Sequence, residues 1–420
     1  MHKKDNKILD GYFFILFSLL PASIILGPAV SLSNILLINF SFIGLIIYTK
    51  EYKFLSNKTV KLILILWLYL IFNSIISKDF SMGALRNLGF IRFIILFCSF
   101  NYFFYHKSFF DKILIIWTLT LFILTIDIYI ESLAGTNILG YGQEYGKRIV
   151  SFFRDEPIVG GYVNAFYLII VGYLFSLSHK FSVNYKYLIL LVSLLFLSAI
   201  LLTGERSNTI KAIFGLLIFY SVNNDFKIKE KLISFLLAVI LIGSLVSNSD
   251  FLKLRYEGQI LYPIRNFLNA DVKTIEDNSN SGISIYVALY KSGYSVFKNY
   301  PLFGVGNKNY RVETCLEIKK LNYVCNTHPH QIYLEFLSEH GFIGTIILLF
   351  IFFNLIFGKL NIFLKSRNYI QIGCCIFLFY SYIPFLPSGA FFSDYNFTIF
   401  WLNLSLMYSV NKKTNIFLKN

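Results

Sequence analysis

Apolar stretches separated by short polar segments repeat along almost the whole chain. About twelve of these stretches reach the roughly 17–25 residues that a helix needs to cross a bilayer. They cover approximately residues 11–28, 30–48, 61–77, 90–106, 113–131, 158–177, 186–203, 208–222, 232–248, 342–358, 369–386 and 396–411. The pattern predicts an all-α polytopic membrane protein with about 12 transmembrane helices.

One polar segment, residues 249–341, is far longer than ordinary connections between helices. It mixes charged residues, tyrosines and glycines, so we expect one long, ordered periplasmic loop subdomain. The chain then divides into three parts. These are a transmembrane bundle at 1–248 (spans 1–9), the loop subdomain at 249–341, and spans 10–12 with a cytoplasmic tail at 342–420.

Basic residues cluster in alternate loops, around residues 50–61, 107–112, 180–186, 227–231, 359–367 and 412–419. The positive-inside rule makes that side cytoplasmic, with both termini inside and segment 249–341 outside. The composition agrees with a membrane protein, because 56% of residues are hydrophobic and only 15% are charged. The net charge of +15 then reflects topology, and we expect no nucleic-acid partner.

Three of the six histidines lie between Asn326 and Gly344, where the polar segment meets a new apolar stretch. We expect a helix here with Pro329 in its first turn and Asn326 or Thr327 as its cap. A helix that carries polar side chains into a bilayer must direct them to a cavity or to other protein groups. On this helix the polar face consists of Gln331, Glu335, Ser338 and Glu339.

His330 is the candidate general base of this stretch, because the pKa of a histidine lies near working pH. Two alternatives remain open. His328 and His330 could bind a metal together with Glu335 or Glu339, or His330 could simply pack.

Arginines on the same predicted side are candidate anion ligands. Arg206 follows Glu205 in a tight turn between two apolar stretches, and Arg148 and Arg154 lie in the loop before Pro157. Guanidinium groups match phosphate oxygens in a bidentate geometry. The alternatives are a local Glu205–Arg206 pair and a solvated loop.

The spacing of His330, Gln331, Gly341 and Gly344 resembles the motif of the O-antigen ligase and O-antigen polymerase superfamily, a group of bacterial envelope enzymes. Arg206 with Ile210 resembles its Arg-x-x-x-Leu turn, and Arg148 resembles its earlier extracytoplasmic arginine. The resemblance covers essentially the whole chain.

This chain departs from the superfamily pattern at three positions. Gln331 replaces the usual Asn, Ser or Asp, and Ile210 replaces Leu. Tyr286 stands where the superfamily often has another arginine. The expected substitutes for that arginine are Lys291, Arg265 or Arg311.

The resemblance implies a fold like that of C-type glycosyltransferases and a metal-independent glycosyl transfer without cofactors. The donor would be a glycan on undecaprenyl diphosphate in the bacterial inner membrane, with its diphosphate bound by Arg148, Arg154 and Arg206. His330 would take the proton of the acceptor hydroxyl, and Arg206 would stabilise the leaving diphosphate. His328, Gln331 and Glu335 would support His330.

The acceptor defines the functional alternatives. An O-antigen ligase would use lipid A-core, and a polymerase would use a second carrier-linked glycan. A lipid-glycan transporter is the alternative of another class, and it predicts internal repeats and charges near mid-membrane. We find no repeat in the sequence.

Two cysteines, Cys315 and Cys325, lie in the long loop, on the side expected to be oxidising. We expect a disulfide that holds the chain just before His328. Two free thiols are the alternative.

Overall fold

The computed structural model describes residues 6–106, 110–142, 147–154, 156–178, 185–261, 282–316, 320 and 322–418. Within these residues the secondary structure is helical and contains no β-strand. The first nine helices are α1 (Asn6–Ser18), α2 (Leu20–Ile25), α3 (Pro28–Thr49), α4 (Lys58–Ile75), α5 (Phe80–Gly89), α6 (Ile91–His106), α7 (Phe110–Ala134), α8 (Val159–Ser178) and α9 (Tyr185–Leu202). The others are α10 (Arg206–Val222), α11 (Ile228–Ser247), α12 (Asp250–Leu252), α13 (Gly282–Asn299), α14 (Tyr310–Thr314), α15 (Ile332–Phe357), α16 (Leu360–Ser366), α17 (Tyr369–Tyr380) and α18 (Asp394–Ser409).

Helices occur at all of the predicted membrane stretches. Among the described residues, 8 helices are long and apolar enough to cross a membrane. The remaining stretches hold α1 and α2, which are separated at Leu19, and the shorter helices α10, α17 and α18. The chain is therefore a multi-pass membrane protein by the length and composition of its helices, and a count of about twelve spans stays a prediction.

Burial distinguishes the central helices from the peripheral ones. In α8, 83% of the apolar window is buried, and α8 packs most extensively against α17 and α9. In α11 only 17% is buried, although that helix is at least as apolar. An apolar surface left uncovered by protein suits contact with lipid, so α8 lies at the centre of the bundle and α11 at its edge.

Side-chain contacts sort the loops into two ends of the bundle. At one end Tyr369 donates to Asp225 over 2.6 Å, and Asn57 donates to the carbonyl of Ile416 over 3.4 Å. These contacts join lysine-rich loops. The other end, here called the cavity end, joins the loops around Lys78, Gly204 and residues 381–393 to the described parts of segment 249–341.

Helix α15 is interrupted at Gly341, whose φ of 65° and ψ of −171° are not helical. The segment 301–306 packs into this break. The N–H groups of Phe342 and Ile343 donate to the carbonyls of Pro301 and Leu302 over 2.7 and 3.1 Å. A Cβ on Gly341 would overlap the carbonyl group of Leu302, so only glycine fits here.

Cys315 and Cys325 are joined by a disulfide that closes a short loop, with a sequence separation of 10. In the chain-entropy account such a loop stabilises the folded state by roughly 3 kcal/mol. The bridge lies between α14 and the histidine stretch, so it restrains the approach to His328.

We expect alkylation of the folded protein without reductant to leave Cys315 and Cys325 unmodified, because disulfide sulfurs do not react with alkylating reagents. Mass spectrometry of the peptides, with and without prior reduction, measures this. The buried Cys98 serves as the control, because it is free and becomes accessible in denaturant whether or not reductant is present. Modification of Cys315 in the unreduced protein would contradict the pairing.

Candidate active site

A cavity of about 790 Å³ opens at the cavity end of the bundle. It collects side chains from α8, α10, α13 and the loops before α8, before α15 and after α17. Arginines line it together with His330 and Tyr286. The cavity therefore unites residues that are far apart in sequence and that we predicted to share one face.

The backbone at His330 adopts a conformation that is uncommon for a residue with a side chain. Its φ is 56°, in the left-handed region. The carbonyl of His330 accepts a hydrogen bond of 2.9 Å from the N–H of Ser388, in the loop after α17. Strained conformations of this kind persist where the surroundings fix them, and they concentrate at functional sites.

The helix after His330 starts later than we expected. It begins at Ile332, and Gln331 is its N-cap, with its side-chain oxygen accepting 2.8 Å from the N–H of Leu334. The prediction that Pro329 lies in the first turn, with Asn326 or Thr327 as cap, is wrong. The reason is that Gln331 reaches the free N–H itself, as Asn, Ser and Asp do at this place.

His328 lies beside His330, and the centroids of the two rings are 4.0 Å apart. Only 8% of His328 is exposed, and its Nδ1 lies 2.9 Å from the hydroxyl of Thr327. Burial, with a contribution from His330, lowers the pKa of His328 to about 3. His328 therefore stays neutral and buries one face of the His330 ring.

Burial also lowers the pKa of His330 below its ordinary value. A neutral imidazole is the form that can accept a proton, so His330 is in the basic form at neutral pH. His330 is half-buried and lines the cavity, which gives a substrate access to it. Among the described residues, no group of three or more His, Cys, Asp or Glu side chains is placed to hold a metal ion.

Glu335, one turn along α15, faces away from solvent with 1% exposure. Both of its carboxylate oxygens accept from the N–H of Phe391 over 3.0 Å. Phe391 lines the cavity and lies in the same loop as Ser388. Glu335 thus fixes the loop that in turn holds the backbone of His330.

Arg148 and Arg206 both line the cavity. Glu131, near the end of α7, positions Arg148 by accepting the N–H groups of Val150 and Ser151 over 3.0 and 2.6 Å. Arg148 donates to the carbonyl of Pro157 over 3.1 Å, and its buried Nε has no partner among the residues described. Arg206 is the first residue of α10, at the cavity end of the bundle (its mouth), and its guanidinium donates to the carbonyl of Gln259 over 3.3 Å.

A third guanidinium, from Arg255, joins them. It lies on the π-helical segment Lys253–Leu261 and donates to the carbonyl of Gly204 over 3.1 and 2.9 Å. Burial lowers the pKa of Arg255, and repulsion from Arg206 and Arg148 lowers it further. We did not single out Arg255 from the sequence.

Glu205 is a carboxylate that lines the same cavity. Glu205 accepts the N–H groups of Gly160 and Gly161 at the start of α8, over 2.7 and 3.0 Å. Within the described residues no ion pair joins Glu205 to Arg206, so the alternative of a local pair is not what the structure shows. The positive charge of the arginines that line the cavity is thus available to an anion.

Arg154 is not brought into the cavity. Its side chain is exposed, with the guanidinium 5.8 Å from the ring centroid of Tyr141. Lys147, in the same loop, is also exposed and away from the cavity. The two arginines of this loop therefore differ, because Arg148 points inward and Arg154 points to solvent.

Tyr286 lines the cavity with its ring centroid 6.0 Å from that of His330. The expected substitutes Lys291 and Arg311 are exposed and outside the cavity, and Arg265 lies outside the described residues. The cation that lines the cavity instead is Arg255.

The two glycines of the histidine motif have packing roles. Gly341 allows the break in α15, and a Cβ on Gly344 would overlap the hydroxyl of Tyr69. Together they let the histidine helix pack closely against α4 and segment 301–306. The spacing from His330 to Gly344 is thus set by the helix that presents the histidine.

A family model matches part of the chain. No curated protein matches the chain significantly. Residues 191–349 match the family model described as O-Antigen ligase, and this range includes Arg206, Arg255 and His330. Residues 191–349 are therefore an O-antigen ligase family domain, which confirms the resemblance to that superfamily predicted from the histidine motif.

Proposed function

We propose that this protein transfers a glycan from undecaprenyl diphosphate to a hydroxyl of lipid A-core. The family supports glycosyl transfer of the ligase or polymerase type in general. The observation that carries the finer proposal is that one cavity is lined both by cations that can bind an anion and by a base. Three guanidinium groups that form no ion pair among the described residues line this cavity, and so does the neutral His330.

The three arginines suit a diphosphate at the membrane boundary. Arg148, Arg206 and Arg255 can each direct N–H groups at phosphate oxygens. Their charge would stabilise the diphosphate as it leaves with a negative charge, and electrostatic stabilisation of this kind usually contributes most to catalysis. Arg206 also stands at the N-terminus of α10, where free N–H groups favour anions.

The chemical step is a direct displacement at the anomeric carbon. The acceptor hydroxyl oxygen forms the new C–O bond while the bond to the diphosphate oxygen breaks. His330 takes the hydroxyl proton as an imidazolium and releases it to water afterwards. The electron pair of the broken bond stays on the diphosphate, which leaves attached to undecaprenol.

The arrangement of charges supports a periplasmic site in the bacterial inner membrane. The lysine-rich loops meet at the end of the bundle opposite the cavity. By the positive-inside rule that end is cytoplasmic, which leaves the cavity on the periplasmic face. Lipid-linked glycans and lipid A-core would both reach it from the membrane plane.

A deletion strain analysed by gel electrophoresis of its envelope glycans tests this proposal. Loss of all capped lipopolysaccharide, with finished polymer accumulating on the carrier, is the expected result. Lipopolysaccharide that carries single repeat units would instead indicate a polymerase. Accumulation of the carrier-linked glycan on the cytoplasmic face would indicate a transporter.

Glycan transfer should survive chelation of divalent metals, because the proposed step uses only arginine charge and a histidine base. The measurement is the transfer rate of the purified protein in lipid vesicles before and after dialysis against EDTA. A metal-dependent glycosyltransferase assayed in parallel shows that chelation is complete. Loss of activity that Mg²⁺ or Zn²⁺ restores would instead favour the alternative in which His328 and His330 bind a metal ion.

A further inference from the structure

Lys211 is a buried cation that the proposed mechanism does not use. It lies on α10, lines the cavity, and is 8% exposed. It forms no hydrogen bond or ion pair with any residue that the structure describes. Removing an ammonium group from water without a partner is costly, so an unpartnered lysine facing a cavity indicates an anionic ligand.

Polar groups of α8 and α17 that lie near α10 form hydrogen bonds of their own. The hydroxyl of Tyr380 donates to both the carbonyl and the side-chain oxygen of Asn164 over 2.8 Å. The hydroxyl of Tyr167 donates to the carbonyl of Ala212 over 2.6 Å. None of these groups bonds to the ammonium of Lys211, and Lys211 lines the cavity.

The position of Lys211 along α10 sets the depth of the ligand. Arg206 begins the helix at the mouth, and Lys211 lies five residues, or about 7.5 Å of helix rise, further into the bundle. An anion that reaches both must extend from the membrane surface toward the hydrocarbon. A phosphate joined to a prenyl chain has this arrangement, whereas a charged sugar would remain nearer the surface.

We propose that Lys211 binds the phosphate next to the prenyl chain of the lipid donor, while the arginines at the mouth bind the phosphate next to the sugar. The two phosphates of the carrier then have separate ligands at two depths. This assignment rests on the proposed function, because it concerns the donor of that reaction. Lys211 is a positioning residue that sets how deeply the carrier enters.

Binding of geranylgeranyl diphosphate to the full-length purified protein tests this assignment, because the probe carries both phosphates and no sugar. Lys211→Met should weaken its binding about 10-fold to 100-fold, the loss expected for one charge-assisted hydrogen bond. Lys211→Arg should retain most of the affinity. Geranylgeraniol, which lacks phosphate, should bind wild type and Lys211→Met equally.

Lys231→Met is the matched control for this experiment. Lys231 donates to the carbonyl of Ser221 over 2.7 Å, away from the cavity, so its loss should leave probe binding unchanged. Thermal unfolding without ligand gives a second measurement. Lys211→Met should keep or raise the unfolding midpoint, because it removes a buried unpaired charge, whereas a lysine with a structural role would lower it.

Each outcome decides the assignment. Binding by Lys211→Met within about twofold of wild type, or a lowered midpoint with binding equal to wild type after correction for folded protein, would overturn it. Should Lys211→Met fail to fold, Lys211→Gln replaces it with the same expected loss. Tight probe binding that depends on Lys211 in a protein without glycan transfer would leave this inference standing and overturn only the proposed function.

Discussion

Alanine at His330 lowers glycan transfer to background, because the acceptor hydroxyl then has no base to take its proton. General-base assistance contributes about 10²–10⁴-fold, so the loss should fall in that range or exceed it. The rate is measured with purified protein in vesicles that contain a lipid-linked glycan donor and lipid A-core. Binding of geranylgeranyl diphosphate should remain, since the arginines of the cavity are unchanged.

His328→Ala is the matched control, because His328 is the neighbouring imidazole but is buried away from substrate. It should cost far less than His330→Ala, through loosening of the His330 ring. A variant His330→Ala with full activity, or a larger loss in His328→Ala, would assign the base elsewhere.

The pH profile of the wild type sharpens this assignment. His330 acts in its neutral form, so transfer is present above its pKa and is lost as pH falls through it. Burial lowers that pKa from the ordinary value of 6.5, which shifts the acid limb of the profile below 6.5. An acid limb that lies above 6.5 and persists in His330→Ala would have to come from another group.

The sequence predicts the membrane helices well, because a helix that crosses a membrane must be apolar whichever other helices it packs against. It also predicts that Arg148, Arg206 and His330 share a face, because the basic residues of the loops indicate on which side of the membrane each loop lies. The sequence does not show which loops contact each other. The contact of Arg255 with Gly204 joins the start of the long loop to the turn between α9 and α10. No local pattern pairs these positions.

Lys211, unlike the contact of Arg255, could have been singled out from the sequence. It falls inside the predicted span 208–222, where a lysine is costly and usually functional. Ile210 lies on the same helix face as Arg206, four residues earlier, and Lys211 is the next residue along that helix. The start of α15 could also have been predicted, because Gln331 can cap the helix with its own side chain.

Alanine at Arg206 should lower glycan transfer about 100-fold or more, because the developing charge on the diphosphate loses one of the three guanidinium groups that line the cavity. Arg148 and Arg255 remain, but their hydrogen bonds to the carbonyls of Pro157 and Gly204 keep them from taking the position of Arg206. The loss should appear mainly in kcat, since stabilisation of the leaving group matters most in the transition state. Steady-state rates at varied donor concentration separate kcat from KM.

Arg154→Ala provides the control for Arg206→Ala, because it removes the same side chain from a position outside the cavity. We expect its rate to stay within about threefold of wild type, as for most exposed substitutions. Arg206→Lys should recover only part of the loss, since an ammonium keeps the charge without the bidentate geometry. Full activity in Arg206→Ala together with a large loss in Arg154→Ala would place the diphosphate at the outer loop and contradict the cavity as its site.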